Sequence, residues 1–515
     1  MKDPISTNQM FVCAVISLAV AAPLLLLLLH NFLSLKNKTN SRRLPPGPPC
    51  WPLIRLDVGY DYKVPHKRLV EIQKKYGPIF MMRMGKLNML VIASADAAME
   101  LLKTHHQAFI NRHLVQRLQP VDDKKFKATA WAPYGGPIWR ISRRLYGTLF
   151  SRTTMNNTLG KRRQFVDQML QWILVEQKEG RSVEIKHLTL VTFVNLLGNL
   201  FFSKDVMDLK SATGSELYQL LGEIVVVSSK LNVADLFPWV RNLDSQNLAN
   251  RMKTALYAFE NIVDVLAKER RITHVVHNSN EEKDYWDLLM DFEGNGKDEP
   301  EKLSDRYITS FITEMFVTGT DSIMIPLEWV MTEVVRNPEV MRKAKDEIYQ
   351  VVGYKRKIEE SDIESLPYLA AVIKETLRLH PPSPFLVPRT TVEDTEFMGY
   401  IIPKDTAVLV NLWGIGRDSA LWDDPLSFNP DRFLRNTNDN RGQHFRLLPF
   451  GAGRRICAGI PLVNQIIPIV VGSLLQSFDW TLENGGTPES IDMNETSLKK
   501  SIPLRIIPKA SALAV

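Results

Sequence analysis

The apolar pattern is densest near the start of the chain: residues 10–29 form an unbroken apolar run in which Ser17 is the only polar side chain, and no charge falls between Asp3 and Lys36. A helix of about twenty residues spans roughly 30 Å, the thickness of a bilayer core. Lys36, Lys38, Arg42 and Arg43 follow the run, against Lys2 and Asp3 before it, which places the rest of the chain on the cytosolic side. A cleaved signal peptide fits less well, because the small residues Ala19, Val20 and Ala21 sit in mid-run with the leucines of 24–29 still to come. Residues 1–35 are therefore expected to be an N-terminal membrane anchor.

Leu44, Pro45, Pro46, Gly47, Pro48 and Pro49 favour an extended spacer, so residues 36–50 read as a basic, proline-rich hinge and 51–515 as the folded domain. Residues 79–84 and 87–93 predict two strands around Gly85 and Lys86, and 407–412 a later short strand. Helical spacing dominates to about residue 380, broken by polar stretches at 278–284 and 293–301. Ser304, with Asp305 in the first turn, caps a long helix that breaks at Asn337 and Pro338, a rod of about 50 Å. A helix over 367–379 ends at His380, Pro381 and Pro382, and an apolar helix runs over 460–475. No internal repeat interrupts this plan. The expected fold class is mainly α with small β-sheets, one large domain behind the anchor.

Composition narrows the function. A chain of 515 residues, 45% hydrophobic, can bury a large core without staples. The net charge of +7 comes from Lys and Arg spread along the chain, without the basic and aromatic cluster of a nucleic-acid reader. Three scattered cysteines, Cys13, Cys50 and Cys457, form no disulfide framework and fit a reducing compartment. Asn156 with Thr158 and Asn494 with Thr496 are sequons that a cytosolic domain leaves unmodified.

The chemistry gathers around Cys457. Glycines at 451, 453 and 459 let backbone approach a flat cofactor, a helix starting just after Cys457 points its N-terminal dipole at the sulfur, and Arg455 adds positive charge. A thiolate, which binds iron, is favoured. Phe450, Gly453, Arg455, Cys457 and Gly459 match the haem signature F-x-x-G-x-R-x-C-x-G, and the chain resembles the cytochrome P450 family. The resemblance runs from the anchor to Ile506. It implies the P450 fold, haem b as cofactor and Cys457 as its metal ligand.

Further motifs follow in the family's order. Glu375 and Arg378 alone read as a surface pair worth about 0.2 to 0.5 kcal/mol. The resemblance implies instead a buried structural triad with Arg432, from the segment Phe428, Asn429, Pro430, Asp431, Arg432, Phe433. Thr318, Gly319, Thr320, Asp321 and Ser322 place a glycine inside the long helix at a cost of about 1 kcal/mol. They resemble the family's A/G-G-x-D/E-T-T/S segment, in which the glycine leaves room for dioxygen and water. On this reading Asp321 and Ser322 are catalytic, the acid relaying protons and the hydroxyl stabilising bound dioxygen. Ser322 departs from the usual threonine, and Ile323 from the second alcohol. Pro326 cannot donate to the carbonyl of Ser322, which predicts a local opening of the helix there. Trp139 and Arg143 resemble the family's W-x-x-x-R. With Arg389, Phe450 and Arg455 they are expected to bind the cofactor, the arginines at its propionates. Arg140 and Arg144 are expected to form a basic docking face for an acidic reductase.

The implied activity is an NADPH- and O2-dependent monooxygenase, with electrons from an NADPH-cytochrome reductase, a flavoprotein. The alternatives are a haem-thiolate isomerase or dehydratase acting without dioxygen and a non-catalytic haem-binding protein. Trp131, Ala132, Pro133, Tyr134, Gly135 and the pair Glu328, Trp329 resemble plant members. The expected substrate is thus a small apolar plant metabolite, terpenoid or alkaloid, oxidised by hydroxylation or related coupling. By the same analogy the pocket walls come from 115–130, 315–323, 383–387 and 496–498, with Asp122 and Asp123 as acids that could meet an amine, although a solvated loop suits them better. The anchor and hinge resemble microsomal members, which implies the endoplasmic reticulum membrane.

Overall fold

The computed structural model describes residues 43–48, 64–115, 129–208, 212–237, 239–240, 244–276, 283–296, 299–435, 445–496 and 499–511. The expected anchor, most of the hinge, Asp122 and Asp123 lie outside the described residues.

Helices dominate. The longer ones are α1 (Pro65–Tyr76), α2 (Pro137–Leu149), α3 (Leu159–Lys178), α4 (Ile185–Phe202), α5 (Ala212–Ser229), α6 (Leu248–Val276), α7 (Asp305–Arg336), α8 (Pro338–Val352), α9 (Pro367–Leu379) and α10 (Ile460–Ser477). The Ser304 hydroxyl accepts from the N–H of Tyr307 and so caps α7, and Asn337 ends it before Pro338, as the sequence predicts. α9 takes the predicted bounds and α10 runs two residues past its predicted end.

α4 and α10 are long and apolar enough to cross a membrane, but 78% and 72% of their residues are buried within the protein. Both are core helices packed on α7. Apolar side chains all round a helix need protein on every side, and each such large side chain contributes about 1.5–3 kcal/mol when buried.

The sheets are small. β1 (Ile79–Met84) and β2 (Leu87–Ile92) form the predicted hairpin. They extend through β8 (Ala407–Val410) and β5 (Arg389–Thr390) to β3 (Asn111–Arg112) in the order β1-β2-β8-β5-β3. β4 (Val183–Glu184), β10 (Arg505–Ala510) and β9 (Phe478–Leu482) make a second sheet, and β6 (Thr395–Phe397) pairs with β7 (Tyr400–Ile402).

The C-terminal end of the hinge lies on this body. Met81 N–H donates to the Pro46 carbonyl at 2.8 Å and Ile401 N–H to that of Arg43 at 2.8 Å. Gly47 is required there, because a Cβ would stand 1.8 Å from the Met81 carbonyl oxygen.

Candidate active site

Strand β5, helix α2 and the loop before α10 converge on Cys457. The loop is held by its own backbone: Cys457 N–H donates to Phe450 O at 3.0 Å and Ile456 N–H to Gly453 O at 3.0 Å. Gly453 has φ +71, and a Cβ there would meet Leu102 O at 2.9 Å, so the turn admits only glycine without strain. The N–H groups of Gly459 and Ile460, at the start of α10, reach the sulfur. Cys457 is exposed, with protein packed about its sulfur. Burial pushes the thiol up; the two amides and the Arg143 guanidinium pull it down. Metal coordination displaces such a proton outright.

Arg143, rather than the expected Arg455, is the cation that acts on the sulfur. Its Nη2 donates to the carbonyls of Arg454 (2.9 Å) and Ile456 (2.7 Å), bracketing the cysteine loop. Arg455 turns the other way, giving Nη2 to Ala132 O (2.7 Å) and Nε to Ile110 O (3.2 Å). Trp139 lies between the two arginines, its ring 5.9 Å from each guanidinium, and packs on Tyr134. Phe450 is half-buried beside the core, one residue before Gly451.

Two more arginines complete the group. Arg112 and Arg389 are directly opposed across β3 and β5, a like-charge pairing that destabilises a sheet. Burial, then Arg389, Arg455 and Arg143, lower the pKa of Arg112 to about 9. Burial and Arg455 lower that of Arg389 to about 10, and burial and Arg143 that of Arg455 to about 10. Among the described residues none of the four forms an ion pair with a carboxylate, and the buried Arg389 Nε has no partner. Such a set suits a ligand with more than one anionic group.

α7 supplies another wall. Although most of this helix is buried, Thr318 and Ser322, one turn apart, are exposed. Each hydroxyl donates back to its own helix, Thr318 to Glu314 O (2.7 Å) and Ser322 to Gly319 O (3.0 Å). Burial pushes the Asp321 carboxyl up, with Lys499 and Lys186 pulling it down. A Cβ on Gly319 would touch Phe193 (3.8 Å) and Leu197 (4.0 Å) of α4. The glycine's bare side therefore faces α4, and the residue open beside Ser322 is Thr318. α7 continues as helix through Pro326, whose ring nitrogen has no hydrogen to give the Ser322 carbonyl.

Away from this wall, Glu375 binds Arg378 through both oxygens (2.7 Å each) and accepts from Arg432 Nε at 3.0 Å and Asn429 N–H at 2.8 Å. Arg378 is spent on Glu375 and on the carbonyls of Gly416, Pro425 and Ser427. Arg144, one of the two residues expected on a docking face, is exposed, pairs with Glu299 at 2.8 Å and lies with its guanidinium over the Phe292 ring.

A family model described as Cytochrome P450 matches residues 45–508. The chain belongs to the cytochrome P450 family. Among curated relatives of this P450, iridoid oxidase of Catharanthus roseus is 40% identical over 96% of the chain and 97% of its own length. Cytochrome P450 76A2 of Solanum melongena is 42% identical over 93% and 95%. Geraniol 8-hydroxylase of Catharanthus roseus is 38% identical over 91% and 94%. A zebra fish cytochrome P450 structure with progesterone superposes with a TM-score of 0.71 at 24% identity, covering 86% of this chain and 99% of that one, and shares the fold.

P450 monooxygenases carry haem b and draw electrons from a reductase. The residues here fit that group: a cysteine sulfur at a helix N-terminus for the iron, and four arginines without a carboxylate partner among the described residues for two propionates. Sequence reasoning missed Arg112, which sits in a two-residue strand where periodicity carries no signal. It also missed Glu314, a buried acid on α7 that accepts from the N–H groups of Thr129 (2.6 Å) and Ala130 (2.8 Å). An acid in an otherwise apolar helical stretch was the available clue.

Proposed function

We propose that this P450 is anchored by residues 1–35 in the endoplasmic reticulum membrane, with the hinge at 36–50, and oxidises a small, apolar plant terpenoid. The single observation that carries the site reading is the exposed Cys457 at the start of α10, with Arg143 acting on its sulfur and Arg112, Arg389 and Arg455 grouped with Arg143, none of the four paired with a carboxylate among the described residues. Iridoid oxidase and geraniol 8-hydroxylase among the relatives favour a monoterpenoid over an alkaloid.

When bound, haem b activates dioxygen and transfers one oxygen atom, using electrons from NADPH passed through a flavoprotein reductase. The protein's own groups do the rest. Cys457 would ligate the metal as thiolate, with the amides of Gly459 and Ile460 donating to the sulfur. Trp139, Arg143, Arg389, Phe450 and Arg455, joined by Arg112, would hold the cofactor. Asp321, raised toward neutrality by burial, takes up a proton from solvent and passes it inward, and the Ser322 hydroxyl orients the receiving group. Glu375, Arg378 and Arg432 fix the scaffold beneath the cysteine loop. Glu314 ties the backbone at Thr129 and Ala130 to α7, which sets where that wall of the substrate pocket stands.

Microsomes from yeast expressing this chain with a plant reductase test the reading. Geraniol and an iridoid alcohol are expected to gain one oxygen atom only when both NADPH and dioxygen are present. Product without either supports an isomerase or dehydratase, and conversion confined to alkaloids overturns the terpenoid assignment.

A further inference from the structure

Outside the site described above, a group of buried titratable side chains joins five separate segments. Glu333, near the end of α7, binds His380 Nε2 at 2.7 Å, and His380 lies flat on Trp329 with ring centroids 3.8 Å apart. On its other side His380 faces Glu495, with Nδ1 3.9 Å from Oε2. Glu495 also meets His66 Nε2 at 3.4 Å and Lys67 Nζ at 3.6 Å, and accepts from Trp413 Nε1 at 2.7 Å. Burial opposes its charge, but His380, His66 and Arg417 outweigh burial and hold the carboxyl far below the usual carboxylate range. No step of the proposed chemistry uses these groups.

Glu495 sits at the base of a turn whose arms, 492–496 and 499–501, are joined by a Glu495–Lys500 bridge and by Ser501 N–H donating to Asn494 O at 2.9 Å. The arms lie along one face of α7. Lys500 Nζ is 4.8 Å from the Trp329 ring centroid, and just beyond the turn Leu504 N–H donates to Glu328 at 3.0 Å. Glu328 stands seven residues, two turns or about 10 Å, past Asp321 on the same face. The next charged residue along the arm is Lys499, which with Lys186 of α4 supplies the positive charges acting on Asp321.

We propose that Glu495 is a positioning residue for Asp321: hydrogen-bonded to Trp413 and facing the His66 and His380 rings, it pins the arms 492–496 and 499–501 along α7 and thereby keeps Lys499 beside the Asp321 carboxylate. The inference rests on Asp321 as the proton relay. Its content is that the relay's charge is set from outside α7, by a clamp at the far end of the same helix.

The test uses the full-length, haem-loaded enzyme with its reductase and two readouts. One is hydrogen exchange of the peptide spanning the two arms; the other is the fraction of NADPH electrons released as hydrogen peroxide, which needs no added substrate. Glu495→Gln is expected to speed exchange of the arms about tenfold, as loss of a buried charged contact does. Lys499→Met is expected to leave exchange unchanged. Each should raise the peroxide fraction and move the acid limb of its pH profile upward by about one unit, because Asp321 then lacks a cation and keeps only Lys186. The double variant should do no more than the larger single. Should Glu495→Gln fail to bind carbon monoxide as a P450, Glu495→Asp and Lys499→Met carry the comparison. Faster exchange with an unchanged peroxide fraction, or additive effects, overturns the clamp alone. An unchanged peroxide fraction in Asp321→Asn overturns the relay, and the clamp with it.

Discussion

Arg112 and Arg389 face each other across two short strands, with Arg143 and Arg455 close enough to lower the pKa of Arg112 further. Each guanidinium spends some donors on carbonyls, Arg112 on Val387 O (2.7 Å) and Ala130 O (3.2 Å), and none meets an acid among the described residues. Holding like charges in a buried group costs stability until an anion arrives. Arg112→Gln should therefore stabilise the haem-free protein while weakening haem retention. A higher melting temperature without haem, together with faster transfer of haem to apomyoglobin, is the expected pair of results. Arg143, Arg389 and Arg455 were legible because each stands in a motif. Arg112 was not, since its role comes from strand pairing with a residue 277 positions away in the chain.

At the scale of elements, α7 is where sequence and structure agree on boundaries and part on detail. Its cap, its length and its stop at Asn337 follow from Ser304, Asp305 and Pro338. What Gly319 does was not legible, because periodicity gives a residue's angle on the helix only to within a neighbour. Its bare side meets Phe193 and Leu197 at ordinary contact distance. Gly319→Ala is thus expected to raise thermal stability by up to about 1 kcal/mol, with peroxide release little changed. Pro326 leaves the Ser322 carbonyl without a helical donor although the helix continues through it. Pro326→Ala should supply that donor and alter the ratio of product to NADPH consumed. An unchanged ratio means that the free carbonyl has no part in coupling.

At the scale of the whole molecule, the buried polar groups that join distant parts of the chain include the arginines near Cys457, the clamp at Glu495, and the triad of Glu375, Arg378 and Arg432. The triad joins α9 to residues 416–432, the stretch that leads toward the cysteine loop. Glu375→Ala would leave two guanidiniums without their acid, and breaking a buried pair this way costs about 3–5 kcal/mol. The expected result is a protein that expresses but incorporates little haem, read as the ratio of haem absorbance to total protein. The sequence carried this architecture well because the motif residues fall in order along nearly the whole chain. It could not show that Arg144 is held by Glu299, a contact across a polar loop without periodic pattern.

The central claim is a bond from the Cys457 sulfur to iron. Carbon monoxide added to the reduced, full-length protein measures it most directly. A strongly red-shifted Soret band, lost in Cys457→Ser, is the predicted result. Absence of that band from the unmodified protein, or its survival in Cys457→Ser, contradicts the assignment.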